Sequence, residues 1–227
     1  MMELFKKNCR WLIPAVFLLL IAPLTPYLDL KISHFFFNGN QFSTDPYITF
    51  FYKYGNFPAH ILGFISLFLL IVSFAFKRWM KLQAPALLLF LTLTLGSGVI
   101  VNLVLKDHWG RPRPVQSKEF GGPLPFRPFY SPNFNSPMPA KSFPCGHCST
   151  GFFFMALILL GKRYNKPALT YFGIGMTLFL GLSLSYSRLA KGGHYFSDIL
   201  ISALIMWWVA ITLDWLIYER EKSECRD

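Results

Sequence analysis

Residues 84–105 read APALLLFLTLTLGSGVIVNLVL, an apolar run without one charged side chain, and the next residue is Lys106. A hydrocarbon core of roughly 30 Å takes about 20 helical residues to cross, so this block predicts a transmembrane helix with an ammonium at its end. Five further blocks repeat the pattern: Trp11 to Leu28, Ala59 to Phe76, Cys148 to Gly161, Leu169 to Tyr186 and Ile199 to Tyr218. The block Cys148 to Gly161 is short. Its flanks complete it, with Lys162 and Arg163 snorkelling at one end and Gly146 and His147 at the interface at the other. Pro14, Pro23 and Pro26 interrupt the first block and no small-residue cleavage site follows cleanly, so it reads as a retained span. The expected fold is an all-α integral membrane bundle of six helices forming one domain over residues 1–227.

Composition points the same way. Of 227 residues, 53% are apolar, 18% aromatic and 15% charged, where a soluble domain carries about a quarter charged. That balance excludes a disordered tail, and four Cys are too few for a disulfide-stapled mini-protein. The net charge of +11 is divided between the two membrane faces, leaving no continuous basic groove, so nucleic acid is not an expected partner and the lipid bilayer is.

Charge also sets orientation. Lys6, Lys7 and Arg10 precede the first span; Lys77, Arg78 and Lys81 join spans two and three; Lys162, Arg163 and Lys166 join spans four and five; Arg220, Lys222 and Arg226 follow the sixth. All four segments fall on one side, which predicts cytoplasmic termini in a bacterial inner membrane. Cys9 and Cys225 then lie on the reducing side, where no pairing is expected.

Basic residues on the opposite side break that bias and call for another explanation. They gather in three clusters at span boundaries: Lys106-Asp-His-Trp-Gly-Arg-Pro-Arg113-Pro114, then Pro144-Cys145-Gly146-His147, then Ser187-Arg188-Leu-Ala-Lys-Gly-Gly-His194-Tyr-Phe-Ser-Asp198. An ionisable group at membrane depth is costly unless it works, and several brought together by a bundle make a site. Lys106, Arg113 and Arg188 suit a phosphate with its charge spread over three oxygens. Backbone N–H groups around Gly146 and His147, at a helix start, can join them. Asp107 and Asp198 are too few to cage a metal, so neither a metal nor another cofactor is expected. If the last helix begins at or just before His194, then Asp198, four residues on, shares its face and can hold one ring nitrogen, leaving the other free to attack. His147, at another helix start, is placed to protonate a leaving oxygen.

Lys, six residues, Arg-Pro; Pro-x-Gly-His; Ser-Arg, five residues, His, three residues, Asp: these three motifs, in this order, resemble the signature of the type 2 phosphatidic acid phosphatase (PAP2) superfamily. The resemblance covers a catalytic core of about residues 84–218. It implies a metal-independent phosphatase acting through a phosphohistidine, with His194 as nucleophile, Asp198 orienting it and His147 as general acid. Lys106, Arg113, Cys145, Gly146, Ser187 and Arg188 would bind the phosphate. Cys145 departs from the family, which usually has Ser there, and a thiol donates weakly. It also creates Cys145-Gly-His-Cys148, the spelling of a dithiol site, so a CxxC membrane oxidoreductase or a plain disulfide stays open.

The local spellings look most like the lipid A phosphatase branch. The expected substrate is therefore lipid A or another membrane phospholipid, attacked at the periplasmic face. Undecaprenyl diphosphate phosphatase, phosphatidylglycerophosphate phosphatase and lipid phosphotransferase are the alternatives within the class. A non-enzymatic lipid-phosphate binding or transport protein is the alternative outside it, but it has no use for the His194 and Asp198 pair. Lys118 to Ser142, rich in Pro, Phe and Asn, predicts an irregular periplasmic loop over the site. Arg111 and Lys191, with the loop's Arg127 and Lys141, are expected at the rim, on a second phosphate or an anionic headgroup.

Overall fold

In the computed structural model the backbone is described for residues 2–136 and 138–224, and side chains for residues 9–136 and 138–218. The side chains of Lys6, Lys7, Arg220, Lys222, Cys225 and Arg226 lie outside these.

The chain is all helical, with no strand among the described residues. Helices α1 (Met2–Ile21) and α2 (Thr25–Phe36) run on through one short turn as the first span. A short α3 (Pro46–Tyr54) and then α4 (Phe57–Ala75) make the second. Helix α5 (Gln83–Leu91) continues as wide π-helical turns over Thr92–Lys106, the third. Two pieces, α6 (Gly146–Phe152) and α7 (Met155–Arg163), form the fourth, followed by α8 (Pro167–Ala190) and α9 (Phe196–Glu224). By length and hydropathy five helical stretches are able to cross a membrane, Cys9–Phe36, Pro46–Ala75, Lys77–Lys106, Pro167–Ala190 and Phe196–Tyr218; the split α6–α7 pair, which stands where the fourth of the six expected spans was placed, is too short to be one of them.

Side chains that a soluble protein would hide face outward all round, with Leu19, Leu20 and Phe64 each 73% exposed. The interior core joins α5, the α6–α7 junction, α7 and α9 through Leu88, Phe153, Ala156, Met206 and Ala210, all buried. Small residues let helices approach where lipid gives no hydrophobic drive between them. At Gly151 of α6 a Cβ would lie 2.8 Å from Gly181 Cα of α8.

Two local features were not foreseen. Helix α3 falls in a stretch expected to be loop; Asp45 caps it by accepting from Tyr47 and Ile48 N–H, with Pro46 at its first position. And α9 begins at Phe196, after His194 rather than before it. The turn before it runs through Gly192, whose φ of +60° favours glycine and whose N–H donates to Leu189 O. Because the spans alternate, Lys77, Arg78, Lys81, Lys162, Arg163 and Lys166 share one end of the bundle and the three motif clusters share the other.

Candidate active site

The third span delivers Lys106 at its last residue. Its π-helical turns put positions five apart on one face: Asn102 Nδ2 donates to Ser97 O at 2.7 Å, and Ser97 Oγ meets Ser149 Oγ of α6 at 2.7 Å. Asn102 also fixes the start of α6, since a Cβ at Gly146 would sit 2.2 Å from its Oδ1. Thr150 of α6 donates to Asn56 between α3 and α4. The start of α6, with His147, is thus pinned from two sides.

A cavity of about 330 Å³ opens between these elements, lined by Tyr52, Arg113, Val115, Arg188, Lys191, Gly193 and His194. Three predicted residues, Arg113, Arg188 and His194, therefore share one wall system. Arg188 is 5% exposed, yet its Nε has no hydrogen-bond partner among the described residues. Tyr52, which the sequence reading did not single out, lies under this guanidinium at 3.8 Å from ring centroid to Cζ and accepts from it at 3.4 Å through its backbone carbonyl. The same ring stacks on His147 at 6.1 Å and sits 5.3 Å from Lys191 Nζ. Ser187 turns its hydroxyl back to Leu184 O within α8.

His194 is 2% exposed. Its Nδ1 approaches Ser142 O at 2.5 Å, which requires the proton on Nδ1 and leaves Nε2 with its lone pair. Asp198 Oδ2 is farther away, 3.6 Å from Nδ1. The expected shared helix face does not form, because His194 precedes α9 and the Asp198 side chain closes the start of that helix. It accepts from Tyr195 N at 2.9 Å and from Ser142 Oγ at 2.6 Å. Asp198 thus holds the residue whose carbonyl holds the imidazole. Burial, with Lys106 and Arg188 nearby, outweighs Asp198 and pushes His194 down to about 4, so the ring is neutral at pH 7.

Arg111 was expected at the rim and is instead fully buried. One Nη donates to Asp198 Oδ1 and to Ser197 Oγ; the other donates to Asp29 Oδ2 at 2.7 Å, and Nε to Arg127 O at 2.8 Å. The guanidinium lies over the Tyr195 ring at 4.4 Å and near Phe126 at 5.7 Å. Burial alone would lower it, but Asp198 and Asp29 more than reverse that and hold it above its ordinary value. Asp29 arrives from α2, too far along the chain for any spacing to connect it. Asp107, counted near the site, points away to the surface, where its Oδ1 accepts from Lys141 Nζ at 2.7 Å; the ammonium holds it below the usual carboxylate range. Lys141 is therefore an ion-paired surface residue, and of the expected rim cations Lys191 is the one that lines the cavity.

Cys145 and Cys148 are joined as a disulfide, and both are fully buried. Cys145 then has no S–H to donate, and its N–H is taken by Asp198 O at 3.3 Å. What the start of α6 can offer an anion is the N–H of Gly146 and of His147, which have no acceptor within the helix. A dithiol exchange site needs an accessible sulfur, which this pair lacks. Among the described residues no group of three His, Cys, Asp or Glu is arranged to hold a metal.

The chain is 32% identical over 198 residues to the lipid A 4'-phosphatase of Francisella tularensis subsp. novicida (strain U112), covering 83% of this chain and 86% of that protein. It is 35% identical over 114 residues to the lipid A 4'-phosphatase of Rhizobium leguminosarum, 50% of this chain and 46% of that one. No solved structure matches. The PAP2 superfamily matches residues 85–222, the stretch that holds Lys106 and His147 and the cavity-lining Arg113, Arg188 and His194, and with that match over more than half its length the chain belongs to the PAP2 superfamily of phosphatases.

Proposed function

We propose that this phosphoric monoester hydrolase removes a phosphate from lipid A at the periplasmic face of a bacterial inner membrane, through a phosphohistidine at His194. The observation that carries the mechanism is a His194 ring whose Nδ1 meets Ser142 O while the ring lines a cavity walled by Arg113 and Arg188. The lipid is argued from the relatives.

In this reading Lys106, Arg113, Arg188 and the Gly146 N–H hold the phosphoryl oxygens as charge builds on them. Ser187 adds its hydroxyl once it releases Leu184 O. Nε2 of His194 forms a bond to phosphorus as the bond to the lipid oxygen breaks, and His147 gives that oxygen its proton. Water then attacks phosphorus, the N–P bond breaks, and the water proton returns to His147. Lys191 at the cavity mouth holds a second anionic group of the lipid, so part of the binding energy comes from far from the bond that breaks.

The test is phosphate release by purified protein in detergent at matched surface concentrations of lipid A, phosphatidic acid and undecaprenyl diphosphate. Lipid A should be fastest, and acid quench should trap an acid-labile phosphoenzyme. A preference for either other lipid overturns the substrate, and a missing phosphoenzyme overturns the mechanism. Reporter fusions after Lys81 and after Gly122 should land on opposite sides of the membrane.

A further inference from the structure

Asp29 is a buried carboxylate that the mechanism above does not use and that lies outside the family's matched residues. Its protonation can be read from its partners. Oδ1 accepts from Ser197 N at 2.8 Å, while Oδ2 accepts from Ser197 Oγ at 2.7 Å and Arg111 Nη2 at 2.7 Å. Asp198 is likewise met only by donors: Arg111 Nη1, Ser142 Oγ and Tyr195 N. Both oxygens of each carboxyl accept from an N–H or guanidinium group that can only donate, Ser197 N and Arg111 on Asp29 and Arg111 and Tyr195 N on Asp198, and the ionised form of both is the one that satisfies all four donors. Two carboxylates and one guanidinium leave this knot with one surplus negative charge.

A surplus buried charge is expensive. Arg111 with Asp198 alone would be neutral, and an amide at position 29 would remove the excess. The group between the knot and the cavity is the His194 ring, 3.6 Å from Asp198 through Nδ1. The ring is faced by Asp198 from the knot side, and Lys106 and Arg188 are the cations near it. When Nε2 binds phosphorus and Nδ1 keeps its proton, the imidazole gains a positive charge. The phosphate neutralises the cations on its own side, and the ring's new charge is met by the knot.

We propose that Asp29 is a positioning residue for the reaction, acting through Arg111 and Asp198 to keep a negative charge behind His194 that is offset when the phosphohistidine forms. The proposal rests on the phosphohistidine reading. It is tested with full-length Asp29→Asn and Asp29→Glu in detergent. Asp29→Asn should lower kcat by about ten- to a hundredfold with KM within about threefold, and should lower the trapped phosphoenzyme, as expected when preorganised charge is removed from a transition state. Its melting temperature should not fall, because removal of the surplus charge offsets the lost ion pair. Asp29→Glu, which keeps the charge, should retain kcat within about threefold. A folded Asp29→Asn with unchanged kcat overturns the proposal. So does a folded Asp29→Glu as inactive as the amide, and that arm decides if Asp29→Asn does not fold. Wild-type protein that turns over without a phosphoenzyme overturns the mechanism above, and this inference with it; a wild-type phosphoenzyme alongside an unaffected Asp29→Asn overturns this inference alone.

Discussion

Arg111 and Arg113 stand two residues apart on one irregular segment and live in opposite worlds. Arg111 is sealed between Asp29 and Asp198 with aromatic rings over its plane, while Arg113 lines the open cavity with Arg188 and Lys191. His194 sits between the two regions, its Nδ1 held on the knot side and its ring lining the cavity. The same side chain thus serves once as the filling of a buried ion triad and once as a cationic wall of an open cavity. What separates them is supplied by other parts of the chain: α2 brings the carboxylate that satisfies Arg111, and nothing acidic reaches Arg113's wall among the described residues.

The most severe break is to remove the ring between the regions. His194→Ala should abolish phosphate release and the phosphoenzyme together, since no neighbour supplies an equivalent nucleophile; residual phosphoenzyme would place the nucleophile elsewhere. Next comes the paired substitution that tests the comparison itself. Arg111→Met leaves two carboxylates buried without their cation and should cost about 3–5 kcal/mol of stability, seen as a lower melting temperature in detergent. Arg113→Met should leave the melting temperature near wild type and lower kcat/KM by about ten- to a hundredfold, the value of one charge-assisted hydrogen bond of about 1.5–3 kcal/mol. If both variants lose stability alike, the division between the regions is wrong.

A smaller effect should come from Tyr52, which lies outside the matched residues and backs Arg188. Tyr52→Ala should lower kcat/KM several-fold and Tyr52→Phe hardly at all, because the stacking of a guanidinium on the ring is worth about 0.5–2 kcal/mol and does not need the hydroxyl. The smallest belongs to Lys141: its pair with Asp107 is about half exposed on both sides, and Lys141→Ala should shift neither melting temperature nor lipid preference measurably. A loss of lipid A preference in that variant would return the loop to the substrate site.

Much of the fold was legible because a bilayer is a demanding solvent. Apolar blocks such as Ala84 to Leu105 can satisfy their backbone in lipid only as helices, so sequence alone set the all-helical bundle and put the three motif clusters at one end of it. Helix α3 was missed because Pro46–Tyr54 is too short and too mixed to show a period, and its only signal was Asp45 followed by Pro46. That Arg113, Arg188 and His194 would gather at one place was legible because cations and imidazoles beside apolar spans have few other reasons to be there. Arg111 was misplaced for the converse reason: a guanidinium beside a motif carries no mark of its partner, and Asp29 lies 82 positions away.

By itself, then, the sequence determined the PAP2 family and with it the phosphatase class, because the types and spacings of charged residues next to apolar blocks are local properties of the chain. Only the tertiary structure decided how that chemistry is charged and held. The Nδ1 of His194 rests on a carbonyl 52 positions earlier, Tyr52 reaches Arg188 across 136, and Asp29 reaches Arg111 across 82. These contacts turn on sub-ångström and few-ångström distances between helices, which packing sets and which no run of neighbouring residues encodes.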